Sequence, residues 1–411
     1  MARVLIYTST GSEHAFPPVA TALALRDRGH DVGFRTSSDS VEAIERIGLS
    51  AAAVDPRIEA IPLEDWKART SLGALSRALD TMHRRGAYEI PDLRAAIDAE
   101  RPDLIWVDSN APGAAMAAEA SGLPWAHYMP YPHPRPAPGV PVFGPGFAPS
   151  TRLPARLRDS GMRAVGKLAF RPTLRGHNSR RAGLGLPPIE DSDDLFLVAP
   201  LLIQFTAEPF EYPREWPRNV RHVGPALWEA PAPEPEWLGA EERPIVLVTA
   251  STEFQDDARL IRCALEAFAN EPYAVVATTA AHSPDDFDAP QNARLARYLP
   301  HGPILRHAAV VISHGGMGTT QKALAAGVPV CAVPFIRDQC EVARRVQHCG
   351  GGTMLRPRRL NPDRLRAAVE EAIGCRQGAE RVRDAFAEAG GGGAAASALE
   401  DLMATRGQEA A

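Results

Sequence analysis

The stretch from Val310 to Gln339 reads V-V-I-S-H-G-G-M-G-T-T-Q-K-A-L-A-A-G-V-P-V-C-A-V-P-F-I-R-D-Q and constrains the architecture more than any other. An apolar run of strand length, Val310 to Ile312, meets a glycine-rich turn, His314 to Gly318. A helical pattern from Thr319 to Ala326 stops at Gly327, and Pro329 opens a second apolar run, Val330 to Val333. Strand, turn, helix, strand in that order is the repeating unit of a parallel sheet covered by helices. The turn leaves the N–H groups of Gly315 to Gly318 uncovered at a helix N-terminus, where unpaired donors and the helix dipole favour a phosphate.

The same alternation opens the chain. Val4 to Thr8 is a strand ending in the polar turn Ser9 to His14, a helical pattern runs from Pro18 to Arg28, and Asp31 to Thr36 reads as the next strand. Leu104 to Val107 is a further strand with Asp108-Ser-Asn110 at its carboxyl end, the edge where ligands of such sheets sit and where His14 also falls. A proline-dense segment, Tyr128 to Ser150, is neither helix nor central strand and is expected as a long surface loop over that edge. At 411 residues the chain is too long for one ordinary core, so two α/β domains facing across a cleft are predicted. The expected boundaries are residues 1–225 for the first domain, 226–243 for a Pro- and Glu-rich linker and 244–389 for the second. Residues 390–411 are expected as a tail helix that can pack back on the first domain.

A net charge of -5 provides no basic field for nucleic acid. The five cysteines contain no C-x-x-C pair, so reduced thiols in a cytoplasmic protein and no metal site are expected. No apolar run has membrane-spanning length.

Tyr298-x-Pro-His301, Leu305-x-His307, Ser313-His-Gly-Gly316, Gly318-Thr-Thr320, Ala323-Leu324, Gly327-Val-Pro329, Pro334 and Asp338-Gln339 together resemble the donor-binding signature of family 1 nucleotide-sugar glycosyltransferases. The resemblance is closest to bacterial enzymes that decorate natural products (macrolides, enediynes, aromatic polyketides) or lipids. It implies the GT-B fold, with two Rossmann-like doubly wound parallel-sheet domains. It further implies that Tyr298 stacks on the base, and that His301 stands where a Gln is frequent. His314, the N–H groups around Gly315, Gly316, Gly318 and Thr319, and the Thr319 and Thr320 hydroxyls would meet the diphosphate, and Asp338 and Gln339 would hold the sugar. Ser251 and Thr252 match a hydroxyl turn that touches phosphate, a helix cap being the other reading. Lys322 stands where UDP-glucose enzymes of the family carry a Glu. An ammonium accepts no hydrogen bond, so a ribose lacking its 2'-hydroxyl, and hence a dTDP-deoxysugar, is favoured over a UDP-sugar, a solvent-facing helix residue or a phosphate contact being the other readings of Lys322.

Gly11-Ser-Glu-His14-Ala-Phe-Pro17 and Arg28-Gly-His30 are similar to the family's N-terminal pattern, with Glu13 in place of the usual Gly. The resemblance makes His14 the general base and Asp108 the carboxylate that orients it, with Glu13 a second candidate for that role. An imidazole, with an ordinary pKa of about 6.5, suits the deprotonation of an acceptor hydroxyl. The expected reaction is an inverting, metal-independent transfer from a sugar nucleotide to a small-molecule acceptor, with no cofactor, and a homodimer is left open. Trp66, Tyr88, Tyr131, Phe143 and Phe147 are the candidate walls of an apolar acceptor pocket. A glycolipid transferase and a sugar-nucleotide epimerase of the same fold remain as other enzymes. A non-catalytic auxiliary would be expected to have lost His14 or the His-Gly-Gly turn, and both are present.

Overall fold

A computed structural model describes residues 1–67, 71–251 and 257–409. The N-terminal half builds a seven-stranded sheet from β1 (Arg3–Tyr7), β2 (Asp31–Thr36), β3 (Ser50–Ala53), β4 (Leu104–Asp108), β5 (Trp125–Met129), β6 (Leu202–Gln204) and β7 (Val220–His222). The C-terminal half builds a six-stranded sheet from β8 (Ile245–Thr249), β9 (Ala274–Thr278), β10 (Ala293–Ala296), β11 (Ala308–Ser313), β12 (Val330–Ala332) and β13 (Gly352–Met354). The strand orders are β3-β2-β1-β4-β5-β6-β7 and β10-β9-β8-β11-β12-β13, and each pairing is parallel. Both are doubly wound sheets in which the order reverses once, between β1 and β4 and between β8 and β11.

The central strands are continuous apolar runs because helices cover both sheet faces. Leu104–Asp108, Trp125–Met129, Ile245–Thr249 and Ala274–Thr278 are buried at every position. Sequence alone gave no clean pattern for residues 55–95, most of which lie in one long helix, Ser71–Glu100, that continues through Pro91. This helix packs on the helix Pro112–Ala120, and the small residues of the latter have a steric cause. A Cβ on Gly113 would lie 2.4 Å from the Gly86 carbonyl oxygen, so the two backbones touch. Glu89, fully enclosed between them, accepts from the Gly113 N–H at 2.8 Å, and burial pushes its pKa up to about 8.

The two halves exchange segments across the boundary expected at residue 225. Ala207 and Phe210, which follow β6, belong to the core of the second sheet, packed with Val342, Val346 and Phe386. Conversely, the C-terminal helix Gly391–Glu409 returns to the first sheet, where Ala395, Ala396 and Leu399 join Val19, Ala22 and Leu25. Its seat is polar at the rim. Arg28 Nη1 and His30 Nε2 lie 2.6 and 3.0 Å from the two Glu400 carboxylate oxygens, and Arg28 Nη2 donates to the Gly393 carbonyl at 3.0 Å. The Arg28-Gly-His30 triplet is therefore a receptor for the end of the chain.

A buried charge network joins the halves. Arg345, on the helix Gln339–His348, is 2.8 Å from Glu211 Oε1 and 3.2 Å from Glu341 Oε2, while Arg214 contacts the same Glu211 oxygen at 2.7 Å. Glu341 Oε1 also accepts from the N–H groups of Gly144 and Gly146, at 2.8 and 3.0 Å, tying the proline-dense loop to the second domain. A Cβ on Gly146 would lie 2.5 Å from the Cys340 carbonyl oxygen, so only glycine permits this approach. Among the described residues no helix is long and apolar enough to cross a membrane.

Leu399 is fully buried in the seat of the C-terminal helix. Leu399→Ala should therefore cost about 2–5 kcal/mol in denaturant unfolding. Glu400→Ala, at a half-exposed ion pair, should cost about 1 kcal/mol or less. Equal midpoints for Leu399→Ala and wild type would show that the helix is not seated on Val19–Asp27.

Candidate active site

Register brings the first half of the site together. Tyr7 pairs with Val107, so the turn leaving β1 and Asp108 at the end of β4 meet where the strand order reverses. His14 lies on the single turn Ser12–Ala15, entered through Gly11 at φ 105°. Its Nδ1 is 2.7 Å from Asp108 Oδ2. Asp108 is wholly buried and accepts two more bonds, from Ser9 N at 3.3 Å and Asn110 N at 2.8 Å. Facing a carboxylate, Nδ1 is the protonated nitrogen, which turns the Nε2 lone pair away from Asp108. Asn110 Nδ2 stands 3.3 Å from Nε2, and the Tyr131 hydroxyl fixes the amide by donating to Asn110 Oδ1 at 2.7 Å. Ser109 Oγ donates in turn to the Tyr131 oxygen at 3.0 Å, and the Tyr128 hydroxyl donates to the His14 carbonyl at 2.9 Å. The Glu13 side chain lies outside the described residues.

The second half forms at the matching reversal, where Ser313 pairs with Thr249. Gly315 adopts φ 84°, and a Cβ there would meet the Gln339 carbonyl at 3.1 Å. The His314 ring folds over Gly316, where a Cβ would lie 2.4 Å from His314 Nε2. Burial holds the His314 pKa below the ordinary value against the influence of Asp257 and a Thr249 backbone bond, so the ring is neutral. The helix Met317–Ala325 begins directly after Gly316. Thr320 N is bonded to the Gly316 carbonyl, which leaves the N–H groups of Met317, Gly318 and Thr319 as the helix start's open donors. Thr319 is half-exposed, whereas Thr320 is fully enclosed, so its hydroxyl does not reach the surface expected of it. Ser251 N donates to Asp257 Oδ2 at 2.7 Å, and Thr252 lies outside the described residues.

Beyond β10 the Tyr298 ring is 54% exposed, with its hydroxyl donating to the Ala230 carbonyl at 3.3 Å. Lys322 does not stand in solvent. Its Nζ is 3.2 Å from Glu229 Oε1, and Glu229 also accepts from His301 N at 2.9 Å and Gly302 N at 3.0 Å. His301 Nε2 is 3.3 Å from Thr278 Oγ1 at the end of β9. Burial, reinforced by Lys322, lowers the His301 pKa to about 4.

After β12 the chain reaches Asp338 and Gln339. The Gln339 side-chain oxygen accepts from Phe335 N at 2.8 Å and Ile336 N at 3.1 Å, so it shapes its own loop rather than standing open to a sugar. Burial raises the Asp338 pKa, while Arg337 and, from the other half, His14 oppose that rise. The carboxyl is thus within electrostatic reach of the imidazole across the cleft. Arg337, at φ 57°, spans the cleft itself, with Nε and Nη2 2.8 and 3.0 Å from the Asp65 carboxylate.

The predicted acceptor walls divide. Tyr131 stands beside His14 through Asn110, and Phe143 and Phe147 lie on the loop held by Glu341. Tyr88 instead packs on the core of the first sheet with the Arg57 guanidinium 4.8 Å above its ring, because its helix turns that face inward. The Trp66 side chain lies outside the described residues. Sequence reasoning missed Asn110, Asp65, Glu229 and Glu341 as members of the site. Asn110 alone left a local signal, two residues beyond Asp108 at a strand end.

The model of the Erythromycin biosynthesis protein CIII-like C-terminal domain matches residues 263–400. The chain is similar to 4'-demethylrebeccamycin synthase of Lentzea aerocolonigenes, at 31% identity over 94% of this chain and 96% of that protein. Among solved structures it resembles the calicheamicin glycosyltransferase CalG4, with a TM-score of 0.76 and 21% identity over 98% of both chains. It also resembles glycosyltransferase VinC in complex with dTDP, with a TM-score of 0.72 and 24% identity over 98% of this chain and 100% of that one.

The depressed His301 pKa has a measurable sign. Between about pH 6.5 and pH 4 the unfolded chain binds a proton on this imidazole that the folded protein refuses, so folding stability rises with pH across that window. His301→Asn should flatten the slope by up to about 1.4 kcal/mol per pH unit in urea unfolding. An unchanged slope would show that the folded ring titrates normally.

Proposed function

The chain belongs to the natural-product glycosyltransferases with the GT-B fold and the erythromycin-CIII-like C-terminal domain, and on that premise we propose how its two half-sites divide the transfer. The reaction is an inverting displacement in which His14 takes the proton of an acceptor hydroxyl as that oxygen attacks the anomeric carbon of a nucleoside-diphosphate sugar. The single observation that carries this reading is the 2.7 Å contact between His14 Nδ1 and a fully buried Asp108. A buried carboxylate fixes the tautomer and stabilises the imidazolium that forms, as in hydrolase triads, and leaves Nε2 to act. The Asn110 contact to Nε2 is long at 3.3 Å, so an acceptor hydroxyl can take its place.

Negative charge grows on the departing diphosphate. The open N–H groups of Met317, Gly318 and Thr319, with the His314 ring packed over Gly316, are the donors placed to receive it. They supply electrostatic stabilisation from protein groups alone, and the proposal needs no metal. Asp338, on the cleft side of the second domain and within reach of His14, is the sugar-side carboxylate.

The nucleoside lies between Tyr298 and Lys322, over the carboxyl ends of β8 to β10. Glu229 brings a carboxylate to that spot from the linker, but three of its roughly four lone-pair positions are taken by His301 N, Gly302 N and Lys322. About one acceptor position remains, which suits a sugar with one free hydroxyl and keeps dTDP favoured over UDP. The acceptor is an apolar molecule resting on Tyr131 and the loop that carries Phe143 and Phe147.

His14→Ala should lower transfer by about 10²–10⁴-fold with dTDP binding unchanged, and Asp108→Asn should fall in the same range through loss of the tautomer. Wild-type turnover in His14→Ala would overturn the assignment. In a thermal-shift series, dTDP should raise the melting temperature more than equimolar UDP or GDP. A larger shift with UDP would reverse the donor preference.

A further inference from the structure

Among the described residues, five of the eight large apolar side chains standing in solvent lie on one helix, Leu153–Gly183. They are Leu153, Leu157, Met162, Val165 and Leu168, exposed by between 39% and 65%. At 100° per residue, Leu153, Leu157 and Leu168 fall within about 60° around the helix axis, and Val165 follows about 60° further on. The same helix carries eight basic residues and a single acidic one, Asp159, in a chain whose net charge is -5. Arg156, Arg163 and Lys167 line one flank of the apolar stripe, Lys167 being paired with Asp191 and Asp193, and Arg171 and Arg175 extend it into an open groove lined also by Leu168, Ile189 and Glu190. Arg156, Arg171 and Arg175 make no ion pair among the described residues.

An exposed apolar stripe of this kind needs a covering, and the charge pattern selects which. A second copy laid on the first would set arginine against arginine, a like-charge contact that opposes association. Nucleic acid would satisfy the arginines and leave four Leu and Val side chains in water. A bilayer bearing anionic lipid satisfies both, because apolar side chains enter the acyl boundary while long basic side chains reach the headgroups. We propose that the helix Leu153–Gly183 is a membrane-surface docking element that seats this protein on anionic bilayers. The seat adjoins the cleft. The Arg158 guanidinium stacks 3.9 Å from the Phe147 ring, and Arg163 donates to the Val140 carbonyl at 2.6 Å, so docking holds the acceptor loop against the lipid surface.

The full-length protein, floated with phosphatidylcholine vesicles that contain or lack phosphatidylglycerol, tests this directly. About tenfold or more protein should float with the anionic vesicles, and high salt should remove most of the difference. A triple Leu157→Asp, Val165→Asp, Leu168→Asp variant should lose flotation with an unchanged melting temperature, since these side chains bear no core packing. Arg156→Gln, Arg171→Gln, Arg175→Gln should lose the preference for anionic lipid. The dTDP-induced thermal shift, measured on each variant, reports the nucleotide site separately, so failure here is distinct from failure of the proposed transfer chemistry. Wild type that stays with the lipid-free fraction, or flotation equal in the triple aspartate variant, would overturn the proposal. So would sedimentation showing that the aspartates split a dimer, which would assign the stripe to a second copy.

Discussion

The two halves of this molecule are registered by a buried arginine. Arg345 enters the boundary between them and is held by Glu211 from one side and Glu341 from the other. Burial alone would push the Glu211 pKa up, yet the pKa is lowered, because Arg345 and Arg214 together outweigh it. Such a network contributes less to stability than its contacts suggest, since desolvation offsets much of the attraction, but removing one member strands the others. Its larger effect is positional. The same Glu341 that meets Arg345 holds the backbone of Gly144 and Gly146, so one carboxylate sets the domain boundary and the proline-dense loop at once.

That register gives the cleft its chemistry. Each sheet offers one crevice where its strand order reverses, and neither crevice is complete. The first holds an imidazole, His14, backed by the buried Asp108 carboxylate. The second holds the amide groups at the start of the helix Met317–Ala325 and a neutral histidine, His314. Asp338 and His14 sense one another across the gap, and Arg337 reaches over to Asp65, so charged groups of both halves face one space.

Much of the fold was legible because parallel strands buried on both faces are continuous apolar runs that need no partner to be recognised. In the glycine-rich turn, Gly315 is required by its φ of 84° and Gly316 by the His314 ring lying over it. The helix through Pro91 was not, because its amphipathic pattern is interrupted and its stability comes from backbone contact with a neighbour at Gly113. Glu229 was unreadable in principle. In a Pro- and Glu-rich stretch it looks solvated, and only the fold shows His301 N and Gly302 N donating to it. Asp65 and Arg337 form their pair across 272 positions, and neither residue carries a local mark of the other. The Arg28-Gly-His30 triplet was visible as a pattern, but its work, holding Glu400, appears only when the chain's end is in place.

That last contact has a consequence for how such a protein can be recombined. The first sheet's outer layer includes a helix, Gly391–Glu409, that follows the whole second sheet in sequence and packs on Val19, Ala22 and Leu25. Exchange of C-terminal halves between relatives at the linker would carry the helix Gly391–Glu409 away from the surface shaped for it. A viable chimaera would have to break the chain twice, at the linker and again near Gly390, so that each sheet keeps its own cover.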